Sequence, residues 1–211
     1  NNALGTALRA MNAIQPPGSG VRTADRCCTM PLWVIAQAMA AQKGLDDNFV
    51  EHVYLFAPLH DLGKITIPDY VLLKPGQLDP HELTIMRRHA RAGLELVDQL
   101  LGNFGLAAVS QVQMLRNIIH YHHELVDGSG YPDGLAGEQI PLESRIVTVA
   151  DVFDALTSER PYKQPWPNAE AFAFLRQQAG LKFDRDCVMA LLEQAEDIEH
   201  IQQCFRENAY G

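Results

Sequence analysis

Basic charge, strand patterning and long apolar runs are what this sequence has least of. Lys and Arg total 17 against 26 Asp and Glu, for a net charge of −9. That balance argues against the basic face that a long nucleic-acid backbone requires, but leaves room for a small phosphorylated ligand gripped by a few local cations. No run of about 18 apolar residues occurs, so no membrane insertion is expected of this domain. No secretory signal is visible. No alternating polar–apolar stretch of any length is present, which points away from sheet classes. The four cysteines, Cys27, Cys28, Cys187 and Cys204, form no CxxC pair. They read as reduced, mostly packed thiols of a cytoplasmic protein. Residues 1–50 contain neither His nor Glu. The chain opens on Asn1 rather than Met, as a piece of a longer protein would.

What is present is helical. The 211 residues are 47% apolar, enough for one large domain with a short extension. Leu4, Leu8, Met11 and Ile14 are spaced for a helix over 1–15, and Pro16 to Gly20 reads as a linker. The expected division is therefore an N-terminal segment and linker over 1–20 and one domain over 21–211. Helices are predicted over 31–43, capped by Thr29 and closed by Gly44, and from Asp46 or Asp47 toward His60, kinked at Pro58. Asp79-Pro80-His81-Glu82 starts a helix that carries His89 mid-way and runs to about Leu101. Further helices are expected over 106–124, 142–157, from an Asn168 cap to Gly180, and from an Asp184 cap to about Asn208. Between them, 127–141 holds too many Gly and Pro for regular structure, and loops of that length are usually functional or disordered. The fold class is all-α.

The chemistry-bearing stretch is His60-Asp61-Leu62-Gly63-Lys64. A neutral imidazole offers a nitrogen to a metal, a carboxylate bridges two metals, and Lys64 sets a positive charge where a phosphate would lie. His89 lies on a polar helix face. His122 and His123 are adjacent, about 100° apart on a helix, so both reach one metal only near a helix end; otherwise one ligates and the other supports it. Asp151 interrupts an apolar run, and a carboxylate buried there needs a partner. Asp154, three residues on, suits orienting a ligand or substrate group.

These motifs resemble the HD-GYP subgroup of the HD superfamily of metal-dependent phosphohydrolases. The resemblance rests on His60 to Lys64, Ile67-Pro68-Asp69, Leu73 to Gly76, His89, His122-His123-Glu124 and Asp127-Gly128-Ser129-Gly130-Tyr131-Pro132. It continues through Ile140-Pro141-Leu142, Ala150 to Thr157, Arg160-Pro161-Tyr162-Lys163, Gly180 and Phe183-Asp184. It covers roughly 44–190 and implies an all-helical bundle with a long Gly-rich loop. It implies a binuclear centre of two divalent metals, iron or manganese before zinc or nickel. The ligands implied are His60, Asp61, His89, His122, His123 and Asp151, with Asp61 as the bridge. Lys64 would meet a phosphate or leaving oxygen, Arg160 and Lys163 would grip substrate, Tyr131 would contact a guanine or close the loop, and Asp154 would orient. The implied activity is cytoplasmic hydrolysis of cyclic di-GMP to pGpG and onward to GMP. The implied partners are GGDEF-type or other signalling domains and an upstream sensory or receiver domain.

The pattern departs from the family at two places. Relatives carry Glu-x-x-x-His before the position of Leu45, and this chain has Arg22, Asp25, Arg26, Cys27 and Cys28 there instead. Asp25 or a thiolate either replaces a ligand or faces away, and the expectation is that it does not ligate, which limits the metals to two. Leu125 and Val126 replace a basic residue and an aromatic of relatives. The missing ligands favour a second reading, a catalytically weak domain that binds cyclic di-GMP or a protein partner. The intact remainder favours the phosphodiesterase. The Gly128 to Pro132 loop disfavours a hydrolase for another nucleotide.

Overall fold

The computed structural model of the chain describes residues 30–105, 111–158, 164–199 and 202. The expected 1–15 helix, the 16–20 linker, Thr29 and the Arg22–Cys28 stretch lie outside them. Among the described residues the structure is helical, with two isolated bridges, Asp127–Ala136 and Ala179–Phe183, in place of any sheet. Helix α1 (Met30–Gln42) carries no charged residue, and Ile35, Ala36, Met39 and Ala40 are fully buried. Such a helix belongs in the interior. It packs against α2 (Asp47–Phe56), α7 (Leu142–Thr157) and α9 (Arg185–Glu193). Gly44, at φ +68, closes α1 as its spacing predicts.

Local chemistry sets most boundaries. Asp46 starts α2 by accepting the Phe49 N–H. Pro58, which has no N–H to give, ends it in a 3-10 turn over Ala57–Leu59 that runs straight into His60. A second 3-10 turn covers Leu62–Thr66, and α3 (Asp69–Leu72) is a single turn. Helix α4 (Pro80–Arg87) begins with the predicted reciprocal cap of Asp79 and Glu82. It does not continue to Leu101. A break at Arg88 separates it from α5 (His89–Asn103), and at that break the His89 ring Nδ1 lies 2.8 Å from the Met86 carbonyl. His89 thus opens a helix instead of sitting mid-way along one, and it is buried. Helix α6 (Val112–Tyr121) stops short of Glu124, and α8 (Asn168–Gln178) has Pro167 at its cap position. Asn168 instead donates to Gln202. Asp184 caps α9 as expected, accepting the Cys187 N–H at 2.9 Å.

The core lies among α1, α2, α5, α6, α7 and α9, with Phe56, Phe153 and Ile118 fully buried. The Leu62–Thr66 turn rests directly on α5. A Cβ on Gly63 would lie 1.9 Å from the His89 carbonyl oxygen and 2.6 Å from the Gly93 nitrogen. Only backbone fits there, so this glycine sets the distance between the His60-Asp61 pair and His89. Gly63→Ala should cost about 1–3 kcal/mol or more by overpacking, read as a lower urea midpoint. Gly102→Ala, on the same helix with open space around it, should be neutral or stabilising by up to about 1 kcal/mol.

Candidate metal centre

Four segments converge at one end of the bundle, and the backbone orients three of their rings. His60 follows the Pro58 turn, and its Nδ1 lies 2.7 Å from the Ala57 carbonyl. His89 Nδ1 lies 2.8 Å from the Met86 carbonyl. His122, the residue that ends α6, has Nδ1 3.0 Å from the carbonyls of both Ile118 and Ile119. Those carbonyls assign a proton to Nδ1, so in the neutral rings of His89 and His122 Nε2 carries a lone pair turned inward, while His60 Nε2 faces the Asp61 carboxylate. The Nε2 atoms of His89 and His122 are 3.3 Å apart. Two lone pairs facing each other at that distance are resolved by a cation held between them.

Asp61 lies between two sets of groups. Its Oδ1 is buried without a hydrogen bond, 3.4 Å from His89 Nε2 and 3.8 Å from His122 Nε2. Its Oδ2 faces the other way, 3.2 Å from His60 Nε2 and 2.6 Å from Lys64 Nζ. Asp151 Oδ1 reaches His60 Nε2 at 3.8 Å. Ligand atoms of Asp61, His89, His122 and His123 all lie within 4.8 Å of one another. The chain therefore offers one imidazole-rich pocket at Oδ1 and a carboxylate pair around His60 at Oδ2. An orphaned carboxylate oxygen among inward-facing imidazoles suits borderline divalent cations.

Electrostatics sorts the histidines. Burial opposes charge on His60, but the carboxylates of Asp61 and Asp151 outweigh it and raise its pKa to about 9. Burial and the neighbouring imidazoles push His122 well below its ordinary value, and burial with His89 brings His123 down to about 3. His89 is lowered too, chiefly by burial. Burial also disfavours charge on Asp61, yet His60, Lys64 and His122 hold its carboxyl well below the usual range. At neutral pH three imidazoles therefore present lone pairs to an ionised carboxylate.

The remaining candidates divide. Asp154 is buried one turn beyond Asp151, and its Oδ1 accepts from Ser158 Oγ at 2.9 Å. Tyr131 stacks on His123 with ring centroids 4.7 Å apart, and the Arg87 guanidinium lies 5.1 Å from the Tyr131 centroid. Arg160, Lys163, Asp25, Cys27 and Cys28 lie outside the described residues. His120, first of the three histidines between 120 and 123, turns away from the pocket to Asp133, Nε2 to Oδ2 3.3 Å. Sequence reasoning missed Arg87 and the role of Glu124, a buried carboxylate beneath the Gly-rich loop. Arg87 gave no signal, and Glu124 gave only its place after His122-His123.

A family model described as an HD domain matches residues 8–187. The chain belongs to the HD-domain family, and within it to the HD-GYP subgroup. A cyclic di-GMP phosphodiesterase response regulator, RpfG of Xanthomonas campestris pv. campestris, is 50% identical over 167 residues, 79% of this chain and 42% of that protein. A 3′3′-cGAMP-specific phosphodiesterase of Vibrio cholerae is 39% identical over 157 residues, 74% of this chain and 29% of that protein. The chain thus spans less than half the length of these curated relatives. A solved HD-GYP-type protein of Bdellovibrio bacteriovorus, Bd1817, shares the fold with a TM-score of 0.63 at 22% identity, covering 91% of this chain and 57% of that one. HD domains depend on divalent metal, and the Asp61, His89, His122, His123 cluster is where this HD-GYP chain has the donors for it.

The depressed and raised histidines predict opposite limbs of a pH–stability curve for chelator-treated protein. His123 titrates near 3 when folded and near 6.5 when unfolded, so the unfolded chain takes up the proton first and stability falls as pH drops from about 6.5 toward 3. His60 contributes stability that is full below about 6.5 and is lost as pH rises through about 9. Urea midpoints measured across that range should show both limbs. His123→Gln should make the acid limb shallower without abolishing it, since His89 and His122 are depressed as well, and should leave the alkaline one.

Proposed function

We propose that this domain is a metal-dependent phosphodiesterase that opens cyclic di-GMP to linear pGpG and cleaves pGpG onward more slowly. The observation that carries the reading is the placement of Asp61, with one carboxylate oxygen toward His89 and His122 and the other toward His60 and Lys64. His89, His122 and His123 would hold one divalent cation, His60 and Asp151 a second, and Asp61 would join them. Such cations, when bound, neutralise a phosphodiester and bring the pKa of water from 15.7 to about 7. Iron or manganese is the expected pair, with zinc or nickel able to enter the same donors.

The protein's own groups then position the substrate. Lys64 carries a positive charge beside Asp61 Oδ2, within reach of charge that develops on a phosphate or leaving oxygen. Arg160 offers a bidentate fork to phosphate or guanine, with Lys163 as a second cation. Tyr131 and Asp154 would bound the pocket on the loop side and the α7 side. The net charge of −9 leaves these local cations to attract the dinucleotide. The working compartment would be the cytoplasm, with GGDEF-type signalling domains and a sensory or receiver domain as partners. No helix among the described residues is long and apolar enough to cross a membrane.

The 3′3′-cGAMP relative makes that dinucleotide the natural comparator. Metal-loaded, anaerobically purified protein should convert cyclic di-GMP slowly, with pGpG accumulating, and should hold no more than two metals per chain. Asp61→Asn should lower turnover by more than about 100-fold, since Asn is a neutral and weaker bridge. Arg160→Ala should act mainly on KM, raising it roughly 10- to 100-fold, as loss of a charged hydrogen bond does. Tight retention of intact cyclic di-GMP with no turnover under any of the four metals would establish the receptor reading instead. Faster hydrolysis of 3′3′-cGAMP would overturn the choice of substrate.

A further inference from the structure

His123 is held differently from its three neighbours. The rings of His60, His89 and His122 are each oriented by a backbone carbonyl on Nδ1. Among the described residues no carbonyl bonds the His123 ring. Its contacts are aromatic: Tyr131 stacked at 4.7 Å with the planes 28° apart, the edge of His89 at 5.0 Å, and His122 tilted by 45° at 4.0 Å. A ligand ring needs a defined orientation as much as a defined position, and second-shell groups usually supply it. The Tyr131 face is the group in place to do so.

Tyr131 is in turn fixed by the loop that bears it. Its N–H donates to the His123 carbonyl at 3.2 Å. Gly130 lies so close to the preceding segment that a Cβ would meet Leu125 N at 2.4 Å and His123 O at 2.6 Å. Beyond Tyr131 the chain is clamped by Glu124, which is buried and accepts three successive backbone N–H groups: Asp133 at 2.7 Å, Gly134 at 3.0 Å and Leu135 at 3.0 Å. Three donors on one buried carboxylate are costly to leave unmade. Asp133 is tied again by His120 and by Arg91.

We propose that Tyr131 is a positioning residue for His123, supplying through ring stacking the orientation that backbone carbonyls give the other histidines, and that Glu124 fixes Tyr131 by clamping the loop behind it. The proposal rests on the reading of His123 as a metal ligand. It assigns Glu124 a task at the centre although its carboxylate points away from the pocket, to the loop amides.

Cobalt(II) is the probe, because its visible absorption reports ligand geometry apart from turnover. Glu124→Ala and Tyr131→Leu should each speed the release of cobalt to a chelator by about 10- to 100-fold and alter the absorption bands. Tyr131→Phe keeps the ring and should match the parent protein in both. The double variant Glu124→Ala, Tyr131→Leu should release cobalt no faster than the faster single variant, since both act through one ring. Should Glu124→Ala fail to fold, Glu124→Gln carries the same expectation in weaker form. Lower melting temperature with unchanged cobalt release and spectrum in both single variants would reduce Glu124 and Tyr131 to loop stability and overturn the proposal. Additive effects in the double variant would overturn the link between them. A parent protein that holds cobalt but hydrolyses no cyclic dinucleotide sinks the phosphodiesterase reading alone, and one that holds no cobalt sinks both.

Discussion

The contact of Gly63 with the first turn of α5 is the constraint on which the site depends. A β-carbon there would fall 1.9 Å from the His89 carbonyl, so the His60-Asp61 segment approaches His89 only as bare backbone. Gly93 answers it from the helix side, with its own absent Cβ 2.8 Å from Ile119. Through Ile119 the same contact reaches α6, whose end presents His122. One backbone-to-backbone approach therefore brings three ligand-bearing segments to a common distance, and Asp61 lies where they meet.

The cost of that assembly is electrostatic, and it is distributed unevenly. Three imidazoles are kept neutral by burial, while Asp61 stays ionised because His60 and Lys64 compensate its desolvation. Burying a charge without such partners would be prohibitive. The pocket is thus built from lone pairs and carboxylate oxygens, with positive charge confined to its Lys64 and His60 side. This asymmetry suits an anionic ligand approaching from the lysine side.

Helix starts were legible in the sequence because their chemistry is local. Asp46, Asp79 with Glu82, and Asp184 cap where they were expected, and Leu142–Thr157 runs over its predicted span. The family motifs single out the His and Asp residues as candidates, and the structure draws Asp61, His89, His122 and His123 together with His60 and Asp151 alongside. Tertiary effects were not legible. Apolar periodicity continues through Arg88, so nothing local announces the break there or the contact of the His89 ring with the Met86 carbonyl. Three histidines in four residues give no hint that His120 turns to Asp133. Nor does a glutamate after two histidines show whether it will be buried under a loop. Asn168 scored as a cap by residue type, yet the chain places Pro167 there.

The central claim is that Asp61 joins two cations, one among His89, His122 and His123 and one beside His60 and Asp151. Crystals of metal-loaded protein, with diffraction recorded on both sides of the metal absorption edge, test it most directly. The account predicts two anomalous peaks flanking Asp61, with the histidine Nε2 atoms in the distance range of metal–imidazole bonds, about 2.0–2.1 Å for zinc. A single peak that leaves Asp61 uncoordinated, or peaks bound by other residues, would contradict it.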